Sequence, residues 1–374
     1  MMCFQDTIFN KAKKFTQYDN HMINLYQNDI NDGGLLIQNS NELKSFNFVK
    51  HFKINELTIY KCQNVNLIEV PTNIFDLTIS HCTLVDLKGL QNMKQLITLE
   101  LRYNGISDIT ILGQLTNLKQ LYLSNNKIST IQIQNLDNLT SLNLGNNKLN
   151  DISAIQNMTN LVELQLSGNQ IHDINVFQYL INLKQLYLSK NKVSNIDILS
   201  SLIHLQILDI SHNNITNISS ITVLTNLKEL YLSSQNNLVD IHNVANLIQL
   251  SELILHDNQI IDIQSIQQLK QLQYLNVSNN KIIDFSPLND HPNIEFYEMQ
   301  DQITPTKQET LFSAKIFQIH LYTDTLLKIS QTKENIMQII EDSKVIVCQN
   351  VQNAQYNQIS MLQQACYLLN QLNM

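Results

Sequence analysis

Hydrophobic positions in this chain recur with a fixed period. Aligned on its first leucine, a line of the form LxxLxLxxNxI starts at Leu96, Leu118, Leu139, Leu161, Leu183, Leu205, Leu227, Leu250 and Leu272. The intervals are 22 residues, apart from one of 21 and one of 23. A lone unit cannot cover its own leucines. Stacked units bury one another's, at roughly 1.5–3 kcal/mol per fully buried side chain, so the pattern predicts a solenoid.

Each unit predicts its own local structure. In "LELRYNGI" (99–106), Leu99 and Leu101 alternate with Glu100, which reads as a short strand with one inward face. Asn104 then turns the chain, its amide pairing backbone groups that would otherwise be buried and unsatisfied. Ile106, Ile109, Leu112 and Leu115 fill the core from the return arm. The asparagine series runs Asn104, Asn126, Asn147, Asn169, Asn191, Asn213, Asn236, Asn258 and Asn280. The short unit loses its residue in the return loop at 129–136, and the long one gains a residue just before Asn236.

Upstream, "IFDLTISHCTLVDL" (74–87) and "INELTIYKC" (54–62) fit the same template with Cys82 and Cys62 in the asparagine slot. Cysteine is small enough to bury and is a weak donor. Repeat spacing, with no CxxC and no clustered histidine, favours this role over a metal site. Downstream, "HPNIEFYEMQDQI" (291–303) reads as a last degraded strand with Ile294, Tyr297 and Met299 inward, giving about twelve coils. A second series comprises Asp86, Asp108, Asp151, Asp173, Asn195, Asn217, Asp240, Asp262 and Asp284. Capping of a short convex segment in each coil explains it. A calcium stripe would need a glycine-rich nonapeptide context, which the sequence lacks.

Solenoid ends need caps. Phe4, Ile8, Ala12, Phe15, Met22 and Leu25 recur at three-to-four spacing or its multiples, predicting one or two amphipathic helices, and residues 32–52 predict an irregular strand region. After Pro305, the capping box from Thr306 to Glu309 opens a helix, with further helices over 333–343 and 357–372. The expected organisation is an N-terminal cap (1–53), the repeats (54–304) and a C-terminal helical cap (305–374).

Composition narrows the class of function. The formal net charge of −8 argues against nucleic acid or an anionic membrane as partner. The N-terminus lacks an apolar signal core and no 18-residue apolar run occurs, so no secretion signal or membrane span is expected. Five scattered cysteines do not form a disulfide framework, which suits the cytoplasm or nucleus. No nucleophile elbow, phosphate loop, zincin or dinucleotide motif is present, so neither catalysis nor a cofactor is expected. His81, His212 and His256 project beside strands, but from different coils.

The informative residues are those that packing does not fix. The central outward strand position reads Thr58, Thr78, Glu100, Tyr122, Asn143, Gln165, Tyr187, Asp209, Tyr231, Ile254, Asn276 and Glu298. Flanking positions add Arg102, Tyr103, Glu163, Glu229, Glu252, Asp257 and Tyr274. Tyrosines among carboxylates make a surface where interface anchors concentrate. The residues expected to hold a protein partner are Glu100, Arg102, Tyr122, Tyr187, Asp209, Tyr231, Glu252 and Tyr274.

The "LxxLxLxxNxIxxI" units over 54–304 resemble the 22-residue leucine-rich repeats of the Sds22-like class and of bacterial internalins. Together with "DGGLLIQ", "LTIYKC", "LTISHC" and "PTKQETLFSAKI", the chain also resembles the large leucine-rich-repeat families of diplomonad-type protists. The resemblance implies an α/β fold: a curved right-handed solenoid, a parallel β-sheet on its concave face, short 3₁₀ or irregular convex segments, and helical ends. It implies a cytosolic protein, and the outward tyrosine and carboxylate row points to a scaffold that binds a protein partner through the concave face, expected as a cytoplasmic or nuclear monomer. The alternative is a regulatory subunit of protein phosphatase 1, as in the Sds22-like class. The internalins' secretion signal and immunoglobulin-like segment are not visible here. Nor is the terminal cap of the Sds22-like class, whose place "HPNIEFYEMQDQITPT" takes.

Overall fold

The computed structural model describes residues 14–18, 21–27, 33–38, 49, 54–235, 237–289 and 291–302. The chain divides into two compact units, Met1–Met299 and Gln300–Met374. The helices expected over 306–372, and Phe4, Ile8 and Ala12, lie outside the described residues.

The first unit is built on one sheet of fifteen strands that follow one another in chain order. Strands β1 (Lys14–Tyr18), β2 (His21–Gln27) and β3 (Gly33–Gln38) form an antiparallel meander. From β3 onward every pairing is parallel. These later strands are β4 (Ile54–Tyr60), β5 (Asp76–Ser80), β6 (Thr98–Glu100), β7 (Gln120–Tyr122), β8 (Ser141–Asn143) and β9 (Glu163–Gln165). They continue through β10 (Gln185–Tyr187), β11 (Ile207–Asp209), β12 (Glu229–Tyr231), β13 (Glu252–Ile254), β14 (Tyr274–Asn276) and β15 (Phe296–Glu298).

Register is constant: Leu99, Leu121, Leu142, Leu164, Leu186, Leu208, Leu230, Leu253 and Leu275 pair in line, and each is at most 1% exposed. That stack of identical side chains is the core, closed from the return arm by Ile109, Leu112 and Leu115 and their counterparts. Ladder bonds run past the strand ends, as in Leu101 N–H to Tyr122 O at 2.8 Å, so backbone polar groups are met coil by coil. Packing against the preceding coil is tight at Gly89. A Cβ there would lie 2.2 Å from the Leu67 carbonyl carbon.

The N-terminal expectation is corrected. Residues 14–18 and 21–27 are two strands rather than amphipathic helix, paired from Lys14↔Leu25 to Tyr18↔His21. A lone helix of this length is marginal. A hairpin instead covers the edge that β3 would expose.

The asparagine slot works as expected, and its geometry is directional. Asn126 Nδ2 donates to Leu123 O in its own coil at 2.9 Å and to Leu101 O in the preceding coil at 2.8 Å. Its Oδ1 accepts from the preceding coil's Ile106 N–H at 3.0 Å and Asn104 N–H at 3.1 Å. Cys82 does the same job with sulfur: Sγ donates to Ser80 O at 3.2 Å and accepts from Cys62 N–H at 3.3 Å. Cys62 sulfur likewise reaches Tyr60 O at 3.4 Å. The hydrogen bond with Cys62, then burial, pushes the Cys82 thiol far up.

One rung differs from expectation. In the long unit Gln235, 1% exposed, fills the slot, and Asn236 lies outside the described residues. Gln235 stands five residues after Leu230, as Asn213 stands five after Leu208, so the extra residue follows the slot instead of preceding it. Its Nε2 reaches Ile210 O at 2.6 Å and its Oε1 accepts from Ile215 N–H at 3.2 Å. The longer amide carries the same donor and acceptor.

On the return arm, Asp108 Oδ1 accepts from Thr110 N–H at 2.9 Å, where a 3₁₀ segment (Thr110–Gln114) begins. The same bond, from the N–H two residues on, recurs at Asp86, Asp151, Asp173, Asn195, Asn217, Asp240, Asp262 and Asp284. This ladder orders the convex turns as expected. A further exposed ladder was not anticipated. Asn117, Asn138, Asn160, Asn182, Asn226 and Asn293 each donate to a carbonyl of the preceding coil at 2.6–2.9 Å.

Candidate functional site

Because the sheet register is constant, the outward strand positions line up across the concave face. Thr58, Thr78, Glu100, Tyr122, Asn143, Gln165, Tyr187, Asp209, Tyr231, Ile254, Asn276 and Glu298 form one continuous central row. The eight residues singled out for partner binding are all half-buried. Glu252 and Tyr274 belong to the row before it and Arg102 to the row after. Tyr103 and Asp257 are turn residues with φ of 58° and 57°, not strand positions.

The structure separates those eight into three groups. On β6 and β7, Arg102 Nε lies 3.3 Å from Glu100 Oε1, and the guanidinium sits 4.8 Å from the centre of the Tyr122 ring. Burial raises the Glu100 carboxyl above its usual range, opposed in part by Arg102. Beside this group, His81 stacks on Tyr103 at 4.3 Å and meets Tyr60 edge-on at 5.3 Å. Sequence reading placed His81 beside a strand, but the stack depends on consecutive turns adopting the same left-handed backbone.

The second group spans β9 to β13. Tyr187 and Tyr231 flank Asp209 in the central row, with Glu163, Glu229 and Glu252 in the row before it. Tyr231 donates its hydroxyl to Glu229 Oε2 at 2.9 Å, and Tyr187 to Gln185 Oε1 at 3.3 Å. Burial raises the Tyr187 phenol, and Glu163, Glu229 and Asp209 add to the shift. Burial and the bond to Glu229 raise Tyr231 further. In the third group, Tyr274 donates to Glu298 Oε1 at 2.7 Å, and Asn276 Nδ2 donates to Glu298 Oε2 at 2.9 Å. Tyr122 is set apart from Tyr187 by β8 and β9.

Among the described residues no group of three or more His, Cys, Asp or Glu side chains is arranged to hold a metal ion. The convex aspartates accept backbone hydrogen bonds. What the concave face offers is shape, aromatic rings and carboxylates.

The leucine-rich-repeat family (two-copy form) matches residues 94–138, 116–157, 137–179, 159–201, 181–221, 203–246 and 248–290. Comparison with curated protein sequences finds no match. Among solved structures, an internalin (inlF) of Listeria monocytogenes is 26% identical with a TM-score of 0.66, covering 74% of this chain and 84% of its own. A leucine-rich-repeat protein of Leptospira interrogans is 22% identical with a TM-score of 0.53, covering 75% and 87%. TLR13, solved as a complex with ssRNA13, is 24% identical with a TM-score of 0.55, covering 68% and 41%. With the matched repeats spanning more than half of its length, and an asparagine or glutamine amide bridging successive coils, the chain belongs to the leucine-rich-repeat family.

Proposed function

We propose that this protein is an intracellular interaction scaffold that holds a protein partner against the concave face of its repeats. The observation that carries the reading is the in-register outward rows, whose identities the leucine core does not set. In β7, β10 and β12 they present Tyr122, Tyr187 and Tyr231 half-buried, each with its ring face or hydroxyl beside a charged or amide group. Rigid aromatic side chains of this kind lose little entropy on binding and are over-represented among interface hot spots. The free thiols at Cys62 and Cys82 suit a reducing compartment.

The test replaces Tyr122, Tyr187 and Tyr231 together by Ala in the full-length chain. Partners captured by proximity labelling in the native cell are then compared for wild type and variant. Loss of a specific partner with unchanged thermal unfolding is the expected result. A partner retained at full strength would remove the concave face from the account.

A further inference from the structure

We infer that the strip over β9 to β13 is built for a basic segment of a protein partner, with lysine or arginine side chains seated between Tyr187 and Tyr231. This inference rests on the concave-face reading and adds the chemistry of the occupant. Four carboxylates, Glu163, Asp209, Glu229 and Glu252, stand on four of the five successive strands β9 to β13, all half-buried. Among the described residues none of them takes part in an ion pair. Lys184 and Lys228, one residue ahead of β10 and β12, do not pair with them either.

Half-buried charges of one sign, on neighbouring strands about 4.8 Å apart, repel one another and are poorly screened. A cationic segment relieves both effects. The tyrosine rings supply the second element. Two strands apart, Tyr187 and Tyr231 are separated by about 10 Å, and Asp209 lies between them in the register. An ammonium or guanidinium entering that gap meets a carboxylate in the register between two aromatic rings. The burial-raised phenols keep the rings neutral, so the negative charge of the strip stays on the carboxylates. A phosphate backbone would meet the same carboxylates as repulsion, so the strip disfavours nucleic acid.

The experiment measures fluorescence anisotropy of a short labelled peptide rich in Lys and Arg against the full-length protein. A Glu-rich counterpart and a single-stranded RNA serve as competing probes. The trough variant carries Glu163→Gln, Asp209→Asn, Glu229→Gln and Glu252→Gln. The control carries Asp86→Asn, Asp108→Asn, Asp173→Asn and Asp262→Asn on the convex side, which removes the same charge and keeps each capping oxygen. The expected result is salt-sensitive binding of the basic peptide, weakened at least about tenfold by the trough substitutions and little by the control. Equal loss in both variants would mean only net charge is sensed, and would overturn the inference. So would preference for the acidic peptide or for RNA. If the triple tyrosine variant releases a cellular partner while the trough charge variant keeps it, the concave face retains its role and the basic segment is rejected.

Discussion

Replacing Asn213 by Ala tests the physical device that holds the coils in register. Asn213 is 2% exposed. Its Nδ2 donates to Leu188 O and Ile210 O, each at 3.0 Å, and its Oδ1 accepts from Val193 N–H at 3.0 Å. The carbonyls are not stranded by the loss: Leu188 O still receives Asn191 at 3.0 Å and Ile210 O still receives Gln235 at 2.6 Å. The Val193 N–H is left without its partner inside the core, which costs about 1–3 kcal/mol. Two lost second bonds add about 0.5 kcal/mol each, for a total of about 2–4 kcal/mol. Asn213→Cys should recover about half of this, since Cys82 shows a thiol filling both roles in the same slot. The assay is urea unfolding followed by circular dichroism, paired with hydrogen exchange at the Val193 amide. A loss below about 0.5 kcal/mol, with that amide still protected, would refute the reasoning.

Other consequences are equally specific. Asn182→Ala removes one rung of the exposed outer ladder, a single 2.9 Å bond to Thr159 O, and should lower the free energy of urea unfolding by less than about 0.5 kcal/mol. Gly89→Ala drives a methyl into the Leu67 backbone and should destabilise by about 1–3 kcal/mol, read as a lowered melting temperature. The carboxyls of Asp108, Asp151 and Asp240 are held below the usual range by the hydrogen bonds they accept, from the Thr110 hydroxyl first at Asp108 and from backbone N–H groups first at the other two. Their contribution is therefore present above the unfolded-state value of about 3.9 and fades as pH falls through the lower folded values. Urea midpoints should drop at the acid end, and the triple Asp→Asn variant at these positions should flatten that limb. Cys62 and Cys82 should stay unlabelled by iodoacetamide until the chain unfolds, as peptide mass spectrometry would show.

The fold was legible because one physical constraint repeats. Each coil must bury the same leucines and satisfy the same turn, so the period fixes strand, register and slot at once. Errors arose where the repeat gives no constraint or where residue identity was trusted over register. Counting five residues from Leu230 selects Gln235 for the slot, although the asparagine of that unit is Asn236. The N-terminal strand pair was hidden by a three-to-four spacing that Phe15, Met22 and Leu25 also satisfy as strand residues. The rows of the concave face were readable from a period of two. Their division into three groups was not, because the Arg102–Tyr122 contact and the Tyr231–Glu229 bond depend on side-chain rotamers set by neighbouring coils.

The central claim is that a partner lies in the concave trough. A photo-crosslinking residue placed at Gln165 or Ile254 faces that trough, while one at Tyr179 or Asp173 stands on the return arm. The account predicts partner adducts, in the native cell, from the trough positions and none from the return arm. Adducts from the return-arm positions alone would contradict it.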